Sequence, residues 1–142
     1  MSQRNVHVVE SGNGPYGQFI TAGRHVLSAD EPESVGGRDT GPDPFELLLA
    51  GLGSCTAMTI RMYAERRKMP LRRVEVRLRH VQRATEAKGL TDKFERIITL
   101  EGDLSEEERE RLKSIADRCP VSQTLSRGSE IATLLDQGAP AA

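Results

Sequence analysis

Between Asp43 and Ile60 the chain reads DPFELLLAGLGSCTAMTI, and this stretch restricts the fold more than any other. Asp43 stands as N-cap, Pro44 as first helical residue and Glu46 as third. The Asp43 and Glu46 carboxylates can therefore take up each other's free amides in a capping box. A central helix over 44–68 follows. From Phe45 to Ile60 nearly every residue is apolar or small on all sides rather than along one stripe, so the helix is expected to be buried on most sides. Roughly 24 helical residues span about 36 Å. A chain of 142 residues suits one domain and can hardly surround such a helix by itself. A second copy is the natural cover. Gly51 and Gly53, each costing about 1 kcal/mol relative to Ala inside a helix, fit close helix-on-helix packing across a dimer axis.

The rest of the chain supplies strands around this helix. NVHVVE and QFITAGRHVLS have strand composition and are separated by the turn cluster SGNGPYG, giving N-terminal strands within 3–28. Residues 29–43, dense in Gly, Pro, Asp and Glu, read as a surface loop. Val74, Val76 and Leu78 alternate with Arg73, Glu75, Arg77 and Arg79, the period of a sheet with one wet face. Strands are expected over 72–83 and 93–102, joined through ATEAKGLTD. Ser105 and Glu108 cap a helix over 105–118, acidic in its first turn and basic later. A Cys-Pro segment over 119–127 and a last strand over 129–135 complete one α+β domain, with only the tail after Gln137 frayed.

Several function classes lose support. The net charge of -1 balances 20 basic against 21 acidic residues, so no global field draws in nucleic acid or an anionic membrane. Aromatic residues are 4% of the chain and are not interleaved with basic ones as a single-strand platform requires. SGNGPYG and VGGRDTG match neither GxGxxG nor a P-loop. His7, His25 and His80 fall on separate strands with no ligand spacing. The N-terminus lacks the pattern of a secretory signal, and no apolar run is taken to be long enough to span a bilayer. The expectation is a soluble cytoplasmic protein. In that compartment two cysteines are more often reactive, metal-binding or buried than permanently bridged.

Those two cysteines are the principal candidates for chemistry. Cys55, about three turns into the apolar helix, reads on its own as a small core residue rather than a reactive one. Cys119 directly precedes Pro120, where free amides and the positive end of a helix dipole stabilise a thiolate. They lie 64 positions apart, so only the fold can join them. Glu46, the one charge within the apolar stretch, is accounted for by the capping box. It precedes Cys55 by nine positions, about 13 Å of rise on the opposite face, so any service to the thiol must come in trans from an antiparallel partner. Arg24 and Arg38 flank the acidic loop and are candidates for a cation near a thiolate.

The segment GPDPFELLLAGLGSCTAMTIRMYAERR, followed by DRCPVSQTLSRGSEI, resembles the paired cysteine motifs of the OsmC/Ohr family of bacterial peroxidases. The wording around DEPESVGGRDTG is closest to its less characterised OsmC-like branch. The resemblance implies an intertwined homodimer and a thiol-dependent peroxidase without cofactor or metal. By it Cys55 attacks an organic hydroperoxide or hydrogen peroxide, Cys119 resolves the sulfenic acid to a disulfide, and an external dithiol completes the cycle. Two departures stand out. The activating arginine that the family's hydroperoxide-resistance branch carries in the early turn is absent from SGNGPYG, leaving Arg24 or Arg38. Its catalytic acid directly follows the helix proline, where this chain has Phe45, with Glu46 one place later. The alternative is a noncatalytic small-molecule-binding or redox-sensing dimer of the same fold. A third reading makes both cysteines packing residues of an assembly subunit.

Overall fold

A computed structural model describes residues 4–85, 89 and 91–136. The chain begins with β1 (Val6–Glu10), β2 (Gln18–Ala22) and β3 (His25–Ala29), an antiparallel sheet in that order. The link from β2 to β3 is a two-residue turn in which Gly23 takes a positive φ. The loop that follows contains a single 3-10 turn, Glu33–Val35, and folds around one carboxylate. Asp30, 2% exposed, accepts hydrogen bonds from the amides of Glu31, Arg38 and Thr40 and from the Thr40 hydroxyl. The Thr40 hydroxyl is the largest of the influences that hold its pKa below the ordinary 3.8, against a smaller opposing effect of burial. A depressed carboxylate stabilises the fold above its unfolded pKa, and that contribution is lost as pH falls through the lower folded value. Asp30→Asn is therefore expected to loosen this loop at neutral pH and to flatten part of the acid limb of stability, read by thermal unfolding across pH.

Helix α1 (Pro44–Arg66) starts where the capping box closes. Asp43 Oδ1 accepts from the Glu46 amide at 2.8 Å and Glu46 Oε1 from the Asp43 amide at 3.0 Å. It ends two residues before the expected 68. The amide of Met69 donates to Ala64 O at 2.8 Å and that of Lys68 to Glu65 O at 3.2 Å, the paired bonds of a Schellman motif. Lys68, at φ 54°, holds the left-handed position that glycine usually fills. The sequence offers no glycine there to mark the stop. Lys68→Gly should relieve this conformation and raise stability by about 1 kcal/mol, measurable by denaturant unfolding.

β4 (Leu71–Gln82) and β5 (Lys93–Gly102) form a long antiparallel hairpin, with Val76 opposite Ile98 and Leu78 opposite Arg96. Helix α2 (Glu106–Ile115) follows its own capping box, Ser105 with Glu108. A 3-10 turn, Ala116–Arg118, separates it from α3 (Pro120–Arg127), so the expected helix over 105–118 tightens in its last turn. Ile60, Ala64, Leu71, Leu112 and Ala116 form the core between α1, the hairpin and α2.

By itself the single chain buries one stripe of α1, Leu52, Gly53, Thr56, Ile60 and Ala64, in keeping with a chain too short to surround this helix alone. Met58 and Met62 on other faces stay 62% and 51% exposed. Gly53 serves packing within the chain: a Cβ there would stand 2.6 Å from a Leu78 methyl, whereas Gly51 faces open space. The statement that no apolar run reaches spanning length fails for α1, whose 23 residues are long and apolar enough by length and composition. Gly, Ser and Thr lower its hydropathy too little to disqualify it. Its buried stripe nevertheless belongs to the core, against β4, α2 and α3. Finally, the strand expected over 129–135 does not form: these residues have no regular structure, and Ile131, Leu134 and Leu135 are 86%, 87% and 88% exposed. A run of strand-forming residues becomes a strand only beside an edge that takes its hydrogen bonds, and among the described residues this segment pairs with none.

Candidate active site

Helix α1 carries Cys55 and Thr56 on the side that meets α3. The hairpin and α2 return the chain so that Cys119 sits at the N-cap of α3, with its own amide bonded to Ala116 O at 3.2 Å. Two residues 64 positions apart thus meet as free thiols, within hydrogen-bonding reach of each other. Cys55 is half-buried and Cys119 is 0% exposed.

The two thiols are electrostatically unequal. Burial pushes the Cys55 pKa up, and the hydrogen bond it donates to Cys119 pushes it further, while the Val121 amide and Thr59 act weakly the other way. Burial also opposes ionisation of Cys119. There it is outweighed by the hydrogen bond from Cys55, the Ser122 amide, the Thr56 hydroxyl and the Val121 amide, so its pKa is lowered. No conventional side-chain cap bond closes at this N-terminus. The first-turn amides act through their orientation toward sulfur, as expected of a cysteine opening a helix. The two thiols are coupled and titrate as a pair, with the surroundings of Cys119 the more favourable to a thiolate.

The other expected residues stand apart from the thiols of their own chain. Glu46 is exposed and occupied by the capping box. Arg24 sits at the exposed tip of the β2–β3 turn. Arg38 reaches back to the β1–β2 turn, where its Nη1 lies 3.5 Å from Asn13 Oδ1. Its aliphatic stem covers Gly14, at which a Cβ would come within 2.9 Å of Arg38 Cδ. A guanidinium is thereby placed on the turn that itself contains no arginine.

Two groups escaped the sequence reading. Arg96 Nη1 donates to Thr56 Oγ1 at 3.1 Å and to Ala116 O at 3.0 Å, behind the Cys119 thiol. The signal was available: Phe94, Arg96, Ile98 and Leu100 share the inward side of β5, and a charge at such a position needs partners. His80 lies between Phe45 and Phe94, at 4.9 and 4.7 Å between ring centroids, with Nε2 2.8 Å from Asp92 Oδ1. Beside it opens a cavity of about 900 Å³ whose walls include Phe45, Leu52, Phe94, Arg96, Ser122 and Leu125. The thiols lie behind this wall rather than in it. Ser122 and Arg96 belong to both the cavity and the surroundings of Cys119.

A partly buried thiol within reach of a fully buried one at a helix N-terminus, on an α+β frame with one long core helix, defines a two-thiol site. The chain belongs to the OsmC-like protein family, whose model matches residues 37–133. Solved structures share the fold. An OsmC-like protein from Mycoplasma pneumoniae is 17% identical with a TM-score of 0.74, covering 88% of each chain. An organic hydroperoxide resistance protein from Legionella pneumophila is 23% identical with a TM-score of 0.69, over 88% of this chain and 90% of that one. Another, from Elizabethkingia anophelis, is 18% identical with a TM-score of 0.69, over 90% of each. None of the curated proteins matches. The family includes hydroperoxide-resistance proteins, and α1 packs its buried stripe under the hairpin.

Proposed function

We propose that this chain is a cysteine-based peroxidase that reduces organic hydroperoxides or hydrogen peroxide through a Cys55 sulfenic acid and a Cys55–Cys119 disulfide. The observation that carries this reading is the meeting of the two free thiols, one reachable and one enclosed. Only Cys55 is open to a peroxide without rearrangement. Cys119, whose pKa is lowered, accepts the proton of the neighbouring Cys55 thiol. Cys55 sulfur then attacks one peroxide oxygen. The O–O bond breaks, the alkoxide leaves and takes the proton held by Cys119, and Cys55 is left as sulfenic acid. The Cys119 thiolate attacks that sulfur, an S–S bond replaces the S–O bond, and hydroxide departs. An external dithiol returns both thiols. Such reductants belong to the cytoplasm, where we place the protein.

A homodimer completes the site in this reading. Val6, Val8, Phe19, Val26 and Leu27 of the N-terminal sheet are exposed, as are Met58 and Met62 of α1. Apolar area on this scale marks an interface. An antiparallel partner would bring its own Glu46 toward Cys55, and Arg38, already on the β1–β2 turn, is a better candidate than Arg24 for the activating cation. The test is consumption of several hydroperoxides with a dithiol reductant, with mass mapping of the oxidised chain. A Cys55–Cys119 disulfide formed in step with peroxide loss is the expected result.

The raised Cys55 pKa and the cavity walled off from both thiols favour a second reading, a noncatalytic small-molecule-binding or redox-sensing dimer. It predicts a thiol indifferent to peroxide together with tight uptake of an apolar ligand.

A further inference from the structure

Arg96 is held on three sides. Besides Thr56 and Ala116, its Nη2 donates to Asp117 Oδ1 at 3.0 Å. The Arg96 side chain is 17% exposed but that of Asp117 is 82%, so this ion pair faces water and contributes little. The two inner bonds matter more, because they tie β5 to α1 and to the turn immediately before Cys119.

The Thr56 hydroxyl has one hydrogen. Its oxygen already receives the Arg96 N–H, so the hydrogen has two acceptors within reach, Leu52 O at 2.7 Å and Cys119 Sγ at 4.0 Å. Toward a neutral thiol the carbonyl wins on distance. A thiolate is the stronger acceptor and can draw the hydrogen, with the oxygen kept in place by the guanidinium. The same arginine fixes the Ala116 carbonyl, which accepts the Cys119 amide.

We propose that Arg96 is a positioning residue of the thiol chemistry, pinning the Thr56 hydroxyl and the Ala116 carbonyl so that Cys119 is held against Cys55. It touches neither peroxide nor a reacting sulfur. Its place in a cycle rests on the peroxidase reading, while its effect on Cys119 does not. The groups around Cys119 that bear on its charge are Cys55 and Thr56 from α1, Arg96 from β5, the flanking Asp117 and Arg118, and the first-turn amides of α3.

Two measurements test this without using peroxide. In a Cys55→Ser background, where serine keeps a donor toward Cys119, ultraviolet absorbance follows a single thiolate across pH. Arg96→Met and Thr56→Val are each expected to move that titration up by about one pH unit, a tenfold loss of thiolate below the midpoint. Thr56→Ser should leave it unchanged and Arg96→Lys should recover part of the shift. In the chain with both cysteines, a small disulfide oxidant closes the pair. Arg96→Met should slow closure about tenfold while Cys55 alkylation changes by less than about twofold. If Arg96→Met does not fold, Thr56→Val decides alone, since it keeps the arginine. Unshifted titrations in folded variants would overturn the assignment, as would equal slowing of closure and of Cys55 alkylation. A wild-type chain that consumes no peroxide but shows these shifts would sink the peroxidase reading and leave the role of Arg96 standing.

Discussion

Cys55→Ser is expected to reduce peroxide consumption to background, a loss of roughly a thousandfold or more, as when a covalent nucleophile is removed. Cys119→Ser should behave differently. The first attack persists, slowed by loss of the proton acceptor beside Cys55, and sulfenic acid accumulates because nothing resolves it. A sulfenic-acid trap should label Cys55 stoichiometrically in that variant and only transiently in the wild type. The pH profile of the first turnover follows from the directions of the two shifts. The lowered Cys119 pKa places the onset of the reactive monoanion below the ordinary thiol range, and the raised Cys55 pKa extends that monoanion to higher pH. The linkage signs are opposite. The Cys119 contribution to stability is present above its unfolded pKa and lost as pH falls through the folded one. The Cys55 contribution is present below its unfolded pKa and lost as pH rises through the folded one. Stopped-flow oxidation across pH measures the first claim. Full turnover by the Cys55→Ser protein is the result that defeats the mechanism.

What could be read from the sequence, and what could not, follows from the range of the interactions involved. Asp43, Pro44 and Glu46 specify the start of α1 because a capping box is closed by residues three apart. The same locality makes Ser105 and Glu108 readable. Val74, Val76 and Leu78 show their face through alternation alone. Lys68 defeats the reading of the helix end, because its left-handed backbone is imposed by Schellman bonds and leaves no mark in residue type. The segment over 129–135 has strand composition but pairs with no strand among the described residues, so composition and structure disagree. At the site, proximity of Cys55 and Cys119 is a product of the whole hairpin-and-helix return and is invisible to spacing. That Cys119 opens a helix was local, and the structure lowers its pKa through those same first-turn amides and its neighbours. Arg96 is harder to single out, because its partners Thr56 and Ala116 lie 40 and 20 positions away and only the fold brings them together.

A charge at Met58 should separate the subunits. In one chain this side chain projects from α1 beside exposed Gly51 and Ser54, opposite the buried stripe of Leu52, Thr56 and Ile60. If a second α1 covers that face, Met58→Asp buries a carboxylate with no partner. The cost is about 3 kcal/mol or more, some two orders of magnitude in the dimer dissociation constant. Sedimentation of the wild type should show a dimer at micromolar concentration, and of Met58→Asp a monomer. Circular dichroism should keep most of the helical signal, because the core around Ile60, Leu112 and Ala116 lies within one chain. The N-terminal sheet should fare worse. It packs little against its own chain's helices and hairpin, so its amides are expected to lose protection from hydrogen exchange once the partner leaves. Peroxide turnover should fall with dimer content, since Glu46 and Arg38 can reach Cys55 only across the interface in this scheme. A wild type that sediments as a monomer with full activity removes any trans contribution and returns the activation of Cys55 to Cys119, Thr56 and Arg96 alone.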